Sequence, residues 1–298
     1  MSGKSQTNWW EGLNAKLEQN VPLSGLTWFG LGGPARYLVS PSSRAELSHV
    51  VRRAREHDIT VKVLGGGANV LVRDDGFDGL VIRLDDPDFA ALDFADDHVT
   101  AGAGVDLMQL AFSCARKGLS GLEALAGIPG TVGGAVRMNA GGRHGDIGDV
   151  VENIDTVDHA GQSGTLDHDR VGFTYRHTDL NGNIVCSATL KVAPDDPEAV
   201  LDRFREFWAE KKRTQPLAAR SAGCVFKNPP GKSAGALVDQ AGLKGTTIGG
   251  ATVSETHANF FVTTTGARAA EVIALIALVR RRVKDEHGID LETEIDIW

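Results

Sequence analysis

Six glycines fall within the sixteen residues from Gly127 to Gly142. Few structural loops need so many in so short a span. A backbone without Cβ atoms can lie flush against something, either a tightly packed crossover between strands or a large flat or phosphorylated cofactor. The chain holds 36 glycines among its 298 residues, and they cluster. Clustering favours backbone packed against a ligand over flexible linker. A second cluster, Gly65-Gly66-Gly67-Ala68-Asn69, sits between two predicted strands. Successive N–H groups there could form an anion-binding nest, and a plain turn is the alternative. It is not a dinucleotide fingerprint, because GxGxxG is absent and no helix follows. Gly30-Leu31-Gly32-Gly33-Pro34 also lacks that fingerprint.

A net charge of -8 argues against a nucleic-acid-binding chain, which usually carries a basic patch. Apolar content of 42% and charged content of 23% are those of an ordinary globular protein, and the length suggests two or three domains. The three cysteines, Cys114, Cys186 and Cys224, show no metal-ligand spacing, so neither a metal nor a disulfide framework is expected, in keeping with a reducing cytoplasm. Met1 to Trp10 carries no apolar run of signal-peptide length, and no segment approaches a membrane span. No protein partner is indicated.

Periodicity gives an α+β chain. Ser43 and Glu46 form a capping-box pattern before a helix with Leu47, Val50, Val51 and Ala54 on one face, stopping near Asp58. Strands follow at Thr60–Leu64, Val70–Val72 and Leu80–Leu84. Later strands are expected at Val99–Ala101, Val151–Asp158 and Asn183–Val192, and helices at Leu107–Lys117, Glu198–Lys212 and Ala267–Glu286. The last helix carries Val272, Leu275, Ile276, Val279 and Val283 on one stripe. A final strand is expected at Asp290–Ile297. Arg220 to Val262 reads as loops and short strands.

Several motifs carry chemistry. Ser221-Ala222-Gly223-Cys224-Val225-Phe226-Lys227-Asn228-Pro229-Pro230 places a thiol behind a permissive glycine and beside a cation. A thiol with a reference pKa of about 8.5 is mostly protonated at neutral pH and can donate a proton; a small buried hydrophobe is the bland alternative. Gly231-Lys232-Ser233 imitates the end of a P-loop, but Phe226 stands where its first glycine belongs, which excludes an NTPase. Arg176, after Phe173-Thr174-Tyr175, could clamp a carboxylate bidentately or make a surface salt bridge. In Leu291-Glu292-Thr293-Glu294-Ile295 the two glutamates share one face of a strand, and periodicity does not say which faces a site. His257 is more often a structural hydrogen-bonder than a base.

Taken in order, the runs Thr27–Pro41, Gly65–Leu71, Gly127–Gly141, Phe173–Arg176, Ser221–Pro229, Ser254–Val262 and Leu291–Ile295 resemble the UDP-N-acetylenolpyruvoylglucosamine reductase family, over roughly Leu26 to Ile295. The short stretch between Arg176 and Cys224 resembles its compact subtype, without the extra substrate loop. The resemblance implies the two-part FAD-binding fold of the vanillyl-alcohol-oxidase-like (PCMH-type) flavoproteins plus a C-terminal α+β substrate domain. It divides the chain into 1–84 with 287–298 returning to it, 85–212, and 213–286. It implies FAD held without a covalent link, NADPH as co-substrate, and UDP-N-acetylglucosamine enolpyruvate as substrate. FAD would be held by Gly65, Gly66, Gly67, Ala68, Asn69, Val70, Gly127, Ile128, Gly130, Thr131, Gly133, Gly134, Ala135, Asn139 and Gly141. Cys224 falls on the proton-donor position, where serine is frequent, and Arg176 and Glu294 would stabilise the developing enolate. Arg213, Lys227, Asn228 and Lys244 are candidates for the UDP-sugar diphosphate. Thr263 stands where the family pattern usually has asparagine. An alcohol oxidase of the same fold, with tethered FAD, and a catalytically idle binding protein are the rival readings.

Overall fold

The computed structural model describes residues 8–298. Met1–Thr7, most of the stretch read above for a signal sequence, lie outside the described residues. The first sheet orders Lys16–Pro22, Pro34–Ser40, Phe77–Ile82 and Val61–Val63; its first pair is antiparallel and the others are parallel. Helix Arg44–Glu56 buries the expected stripe of Leu47, Val50, Val51 and Ala54. Ser43 Oγ accepts the Glu46 N–H at 3.2 Å. The Glu46 carboxylate, however, takes the N–H and hydroxyl of Ser42 rather than the Ser43 N–H, so the box is displaced by one residue.

The second sheet has five antiparallel strands, in the order Ser163–Asp167, Val151–Val157, Ile184–Lys191, His98–Gly102 and Leu92–Phe94. Helices Leu107–Arg116 and Pro197–Thr214 pack together beside it, with the Phe112 and Phe204 rings 5.6 Å apart. One apolar core runs through both sheets, from Val39 and Leu80 to Ile154 and Leu190. A separate core unites helices Ala234–Gln240 and Ala269–His287 with a three-stranded sheet of Thr247–Ile248, Ala251–Val253 and Phe261–Thr263. The stripe expected on the last long helix is buried there.

Three elements depart from the sequence reading. The glycine segment is not all loop: Val132–Met138 is a helix, with Thr131 as its N-cap. Gly133 lies so close to the second sheet that a Cβ there would come 2.8 Å from Ala103 Cβ. This glycine serves close approach of elements, which composition alone reads as loop. Ala234–Gln240, within a segment read as loops and strands, is a helix capped by Ser233. The expected final strand changes partner midway. Thr293 bridges Phe226, whereas Asp296–Ile297 pairs in parallel with Val70–Leu71, so no single ladder spans Asp290–Ile297. Trp298 then packs into a third small core beside Phe77. Among the described residues no helix is long and apolar enough to cross a membrane.

Candidate active site

The two glycine clusters, some sixty residues apart in sequence, meet backbone to backbone. A Cβ on Gly66 would come 2.8 Å from Gly130 Cα, and one on Gly65 would come 2.5 Å from Thr131 Oγ1. Gly67 and Gly130 adopt φ of 66° and 110°, the region glycine alone enters cheaply. Gly65, Gly66, Thr131, Gly133 and Gly134 line a cavity of about 700 Å³. Its walls also carry Arg55, Lys62, Arg83 and Arg137 together with Asp58, Asp85 and Asp296, and Asp85 pairs with Arg83 at 3.2 Å and Asp296 with Lys62 at 3.3 Å. That volume is typical of a cofactor site, and cations on its walls suit a diphosphate. Both features fit the nucleotide portion of FAD. The four cations escaped sequence reasoning because they are scattered along the chain with nothing unusual beside them.

Other residues expected at the cofactor lie around this junction and serve the protein itself. The Gly67 carbonyl accepts the Trp28 N–H, Ala68 faces Gly130, and Val70 is paired with Asp296. Asn69 donates its side-chain N–H to the Glu294 carbonyl at 3.1 Å. Gly127 donates its N–H to Met108 Sδ, the partly buried Ile128 packs against the main core, and Ala135 is buried within it. Asn139, in the left-handed region at φ 43°, donates to the Thr174 carbonyl and accepts the Gly148 N–H. The carbonyls of Asn139 and Gly141 both accept from Arg176.

Arg176 itself has φ of 55°, on a turn closed by the Thr174–His177 pair. Its guanidinium is held from four directions. Nε donates to Glu294 Oε1 at 2.9 Å, Nη1 to the Asn139 carbonyl and Asp146 Oδ1 at 3.2 Å each, and Nη2 to the Gly141 carbonyl at 2.8 Å. A guanidinium has five N–H donors, so one remains, on Nη2. The bidentate clamp expected for Arg176 is therefore not free to form on a ligand. What Arg176 offers is a fixed positive charge and a single donor.

Cys224 is delivered by a strip clamped on both sides. Gly223 takes φ of 76°, and Cys224 then bridges Phe260 while Phe226 bridges Thr293. The Val225 N–H donates to the Asn259 carbonyl, the Glu294 N–H to the Val225 carbonyl, and the Lys227 N–H to the Glu292 carbonyl. The buried Asn259 amide completes the clamp, accepting from the Phe226 N–H at 2.9 Å and donating to its carbonyl at 2.8 Å. The same ladder that fixes the thiol thus fixes Glu294 next to it. Glu294 and Glu292 part company here. The Glu294 side chain is 16% exposed against Arg176, and the Glu292 side chain is 73% exposed against Lys227.

Burial pushes the Cys224 thiol up to about 12; Glu294 adds to the rise and Arg176 opposes it. The sulfur is therefore protonated at neutral pH. Burial also raises Glu294, with Arg176 pulling the other way. Burial works against the Arg176 charge, but Glu294, Tyr175 and Asp146 outweigh it and the net shift is upward. Cys114 and Cys186 are buried thiols pushed up to about 12 and about 11, with no part in the site.

The proposed diphosphate ligands are differently placed. Lys227 pairs with Glu292 at 2.7 Å and Lys244 with Asp239 at 2.8 Å. The Asn228 side-chain oxygen accepts the Ala234 N–H, and its own N–H donates to Tyr175 Oη. Arg213 is exposed in the last turn of helix Pro197–Thr214. The structure does not gather these four into one cluster of free donors. His257 takes the structural role: it is partly buried, burial lowers its pKa, and its Nδ1 accepts the Asn259 N–H. Thr263 donates to the Phe29 carbonyl at 2.7 Å. Sequence reasoning missed Asp146, Asn259 and Lys211. Among the described residues the ammonium of Lys211 is buried without a hydrogen-bond partner, and its stem lies across Gly127.

A glycine-lined cavity of cofactor size, in a chain that also holds a thiol, a guanidinium and a carboxylate together, is the arrangement of a flavin-dependent oxidoreductase. A family model for an FAD binding domain matches residues 35–166, and one for the UDP-N-acetylenolpyruvoylglucosamine reductase C-terminal domain matches 215–298. The chain is 41% identical over 299 aligned residues to UDP-N-acetylenolpyruvoylglucosamine reductase of Moorella thermoacetica, covering 100% of this chain and 97% of that one. It is 39% identical to the enzyme of the same name from Lactobacillus helveticus, with 96% of each covered. The crystal structure of UDP-N-acetylenolpyruvylglucosamine reductase from Thermus caldophilus superposes with a TM-score of 0.84 at 41% identity, over 95% of this chain and 99% of that one. The chain belongs to the UDP-N-acetylenolpyruvoylglucosamine reductase family, and its two-part FAD-binding fold with a C-terminal α+β domain follows.

Proposed function

We propose that this chain reduces the enolpyruvyl group of UDP-N-acetylglucosamine enolpyruvate to a lactyl ether with NADPH. The product is UDP-N-acetylmuramate for peptidoglycan, made in the cytoplasm. Family membership supports the reaction. The single observation that carries its assignment to residues is the juxtaposition of Cys224, held protonated, with the Arg176–Glu294 pair.

FAD, when bound, carries a hydride from NADPH to the substrate. Gly65, Gly66, Thr131, Gly133 and Gly134 would shape its cradle, Arg55 and Arg137 would serve its diphosphate, and Lys62 and Arg83 would do so only by leaving Asp296 and Asp85. No covalent tether is proposed. Hydride addition to the enolpyruvyl double bond would leave a carbanion on the carbon bearing the carboxylate, its charge spread into that carboxylate as an enolate. Arg176 stands there as a positive charge already locked by four protein partners, so it needs no rearrangement as charge develops. Fixed donors of this kind are worth about 2.7–4 kcal/mol each. Cys224 then gives its proton to the carbon bearing the carboxylate, and Glu294 holds Arg176 in orientation. Lys227, Asn228, Lys244 and Arg213 would reach the diphosphate of the sugar nucleotide only by exchanging present partners or from the rim. We place the first FAD-binding part at 1–84 with 287–298, the second at 85–212, and the substrate domain at 213–286.

Anaerobic stopped-flow tests the reading. NADPH should bleach the yellow protein and the enolpyruvyl sugar should restore its colour. Bleaching without recolouring would discard the substrate.

A further inference from the structure

Lys211 is the one buried lysine whose ammonium, among the described residues, has no partner. Its surroundings explain why none is available. Glu210, the adjacent carboxylate, is taken by Arg143 at 3.2 Å and His144 at 3.0 Å. The other charge acting on Lys211 is Arg176, of like sign. The contrast with its neighbour is sharp: Lys212 extends over the half-exposed Trp208 ring, at 5.7 Å. A buried cation without a counter-ion is costly, and helix Pro197–Thr214 had solvent-facing alternatives on every turn. Such a group makes physical sense when its anion arrives with a ligand.

The direction in which it is held says which ligand. The Lys211 stem lies against Gly127, where a Cβ would come 3.0 Å from Lys211 Cδ and 3.2 Å from Trp208 Cδ1. Gly127, at φ 74°, opens the segment that continues through Gly130 and Thr131 into the cavity wall. The charges acting on Cys224 are Glu294 and Arg176, and Arg176 acts on Lys211 as well, so both groups lie near that guanidinium. Lys211 thus lies near Arg176 and against the segment that leads into the cavity wall. A bound flavin that took a hydride from NADPH, with NADP+ released, would carry one negative charge more, shared by N1 and the C2 carbonyl of its pyrimidine ring. We propose that Lys211 is the cation that meets this charge, favouring the reduced flavin over the oxidised one. The proposal rests on FAD lying along the segment that begins at Gly127.

The test compares flavin properties in holoenzyme, apart from turnover. Lys211→Met and Lys211→Gln should keep FAD, bind sulfite at least about tenfold more weakly, and lower the two-electron potential by about 30 mV, the equivalent of tenfold. Lys211→Arg should restore both. Unchanged sulfite affinity and potential in both neutral variants would overturn the proposal. So would unchanged flavin properties with a raised KM for the enolpyruvyl sugar, which would assign the ammonium to the substrate carboxylate. A parent protein with no flavin would fail earlier, before any variant is compared, and would remove the cofactor reading itself.

Discussion

Asn69 holds Glu294 by the backbone. Its side-chain amide donates to the Glu294 carbonyl at 3.1 Å across 225 residues of sequence, and the next hydrogen bond along runs from the Asp296 N–H to the Asn69 carbonyl. The glycine turn at Gly65–Gly67 is thus tied directly to the segment bearing the carboxylate of the site. Asn69→Ala should cost about 1 kcal/mol in denaturant unfolding. Turnover should fall roughly tenfold or more through loosened placement of Glu294, with FAD retained. Unchanged turnover in a folded variant would mean that the Glu294–Val225 and Asp296–Asn69 backbone bonds suffice.

Cys224 should behave as an acid and not as a nucleophile. With its thiol pushed up to about 12, turnover should show no loss from its ionisation between pH 7 and 9. Cys224→Ala should slow reoxidation by the sugar about 10²–10⁴-fold while leaving flavin reduction by NADPH nearly intact, and Cys224→Ser should recover most of the loss. Equal loss in both half-reactions, read by anaerobic stopped-flow, would remove the proton-donor role.

Arg176→Lys should not be conservative. A lysine has no planar fork to satisfy Glu294, Asp146 and the carbonyls of Asn139 and Gly141 together. The pair is mostly buried, at 14% and 16% side-chain exposure. Removing one partner from such a pair costs about 3 kcal/mol or more, visible as a lower Tm, and turnover should drop at least about a hundredfold.

Lys211 sets a pH signature on stability. Burial, then Arg176, lower its pKa to about 8. Between about 8 and its ordinary value near 10.5 the unfolded chain binds a proton that the folded chain does not. Stability therefore gains from this group as pH rises through that window, and the penalty is fully present below it. The apo form of Lys211→Met should be more stable than the parent at pH 7 by something on the order of 2 kcal/mol, with the difference shrinking toward pH 10. The three high-pKa thiols are present in both proteins and cancel in the comparison. Urea titrations at pH 7 and pH 10 measure it.

Gly66→Ala should act on the cofactor cradle. The added methyl would meet Gly130 Cα at 2.8 Å, backbone against backbone, so the two loops must separate. FAD affinity should fall by tenfold or more in a variant that keeps its secondary structure, read by flavin fluorescence on titration of apo-protein. Wild-type affinity would mean that the loops part without cost.

The long helices were legible because their apolar residues repeat on one face, as in Val272, Leu275, Ile276, Val279 and Val283. Gly223 and Gly130 were legible as special backbone, and both take positive φ. The short helix Val132–Met138 was not, because glycines used for close packing look the same in sequence as glycines used for loops. Arg176 and Glu294 were recognisable as a pair only through the order of the motifs. Their 2.9 Å contact spans 118 residues, which no periodicity encodes. Lys211 was invisible for the opposite reason. In sequence it is one of three basic residues at a helix end, and only the fold turns its neighbours outward and buries it.

The partner switch near the end of the chain also orders events in time. Val70–Leu71 is synthesised more than two hundred residues before the parallel partner that completes it, Asp296–Ile297. Domains generally fold N-terminal first during synthesis. The second sheet can therefore assemble while the cradle beneath it is still open and Cys224 still lacks the ladder that carries Glu294. Docking of the final segment then supplies a strand to the first unit, one side of the clamp on the Cys224 strip, and Glu294 beside Asp146 as a carboxylate for Arg176. Until that segment docks, Arg176 lacks Glu294, and the set of residues proposed for the chemistry is incomplete.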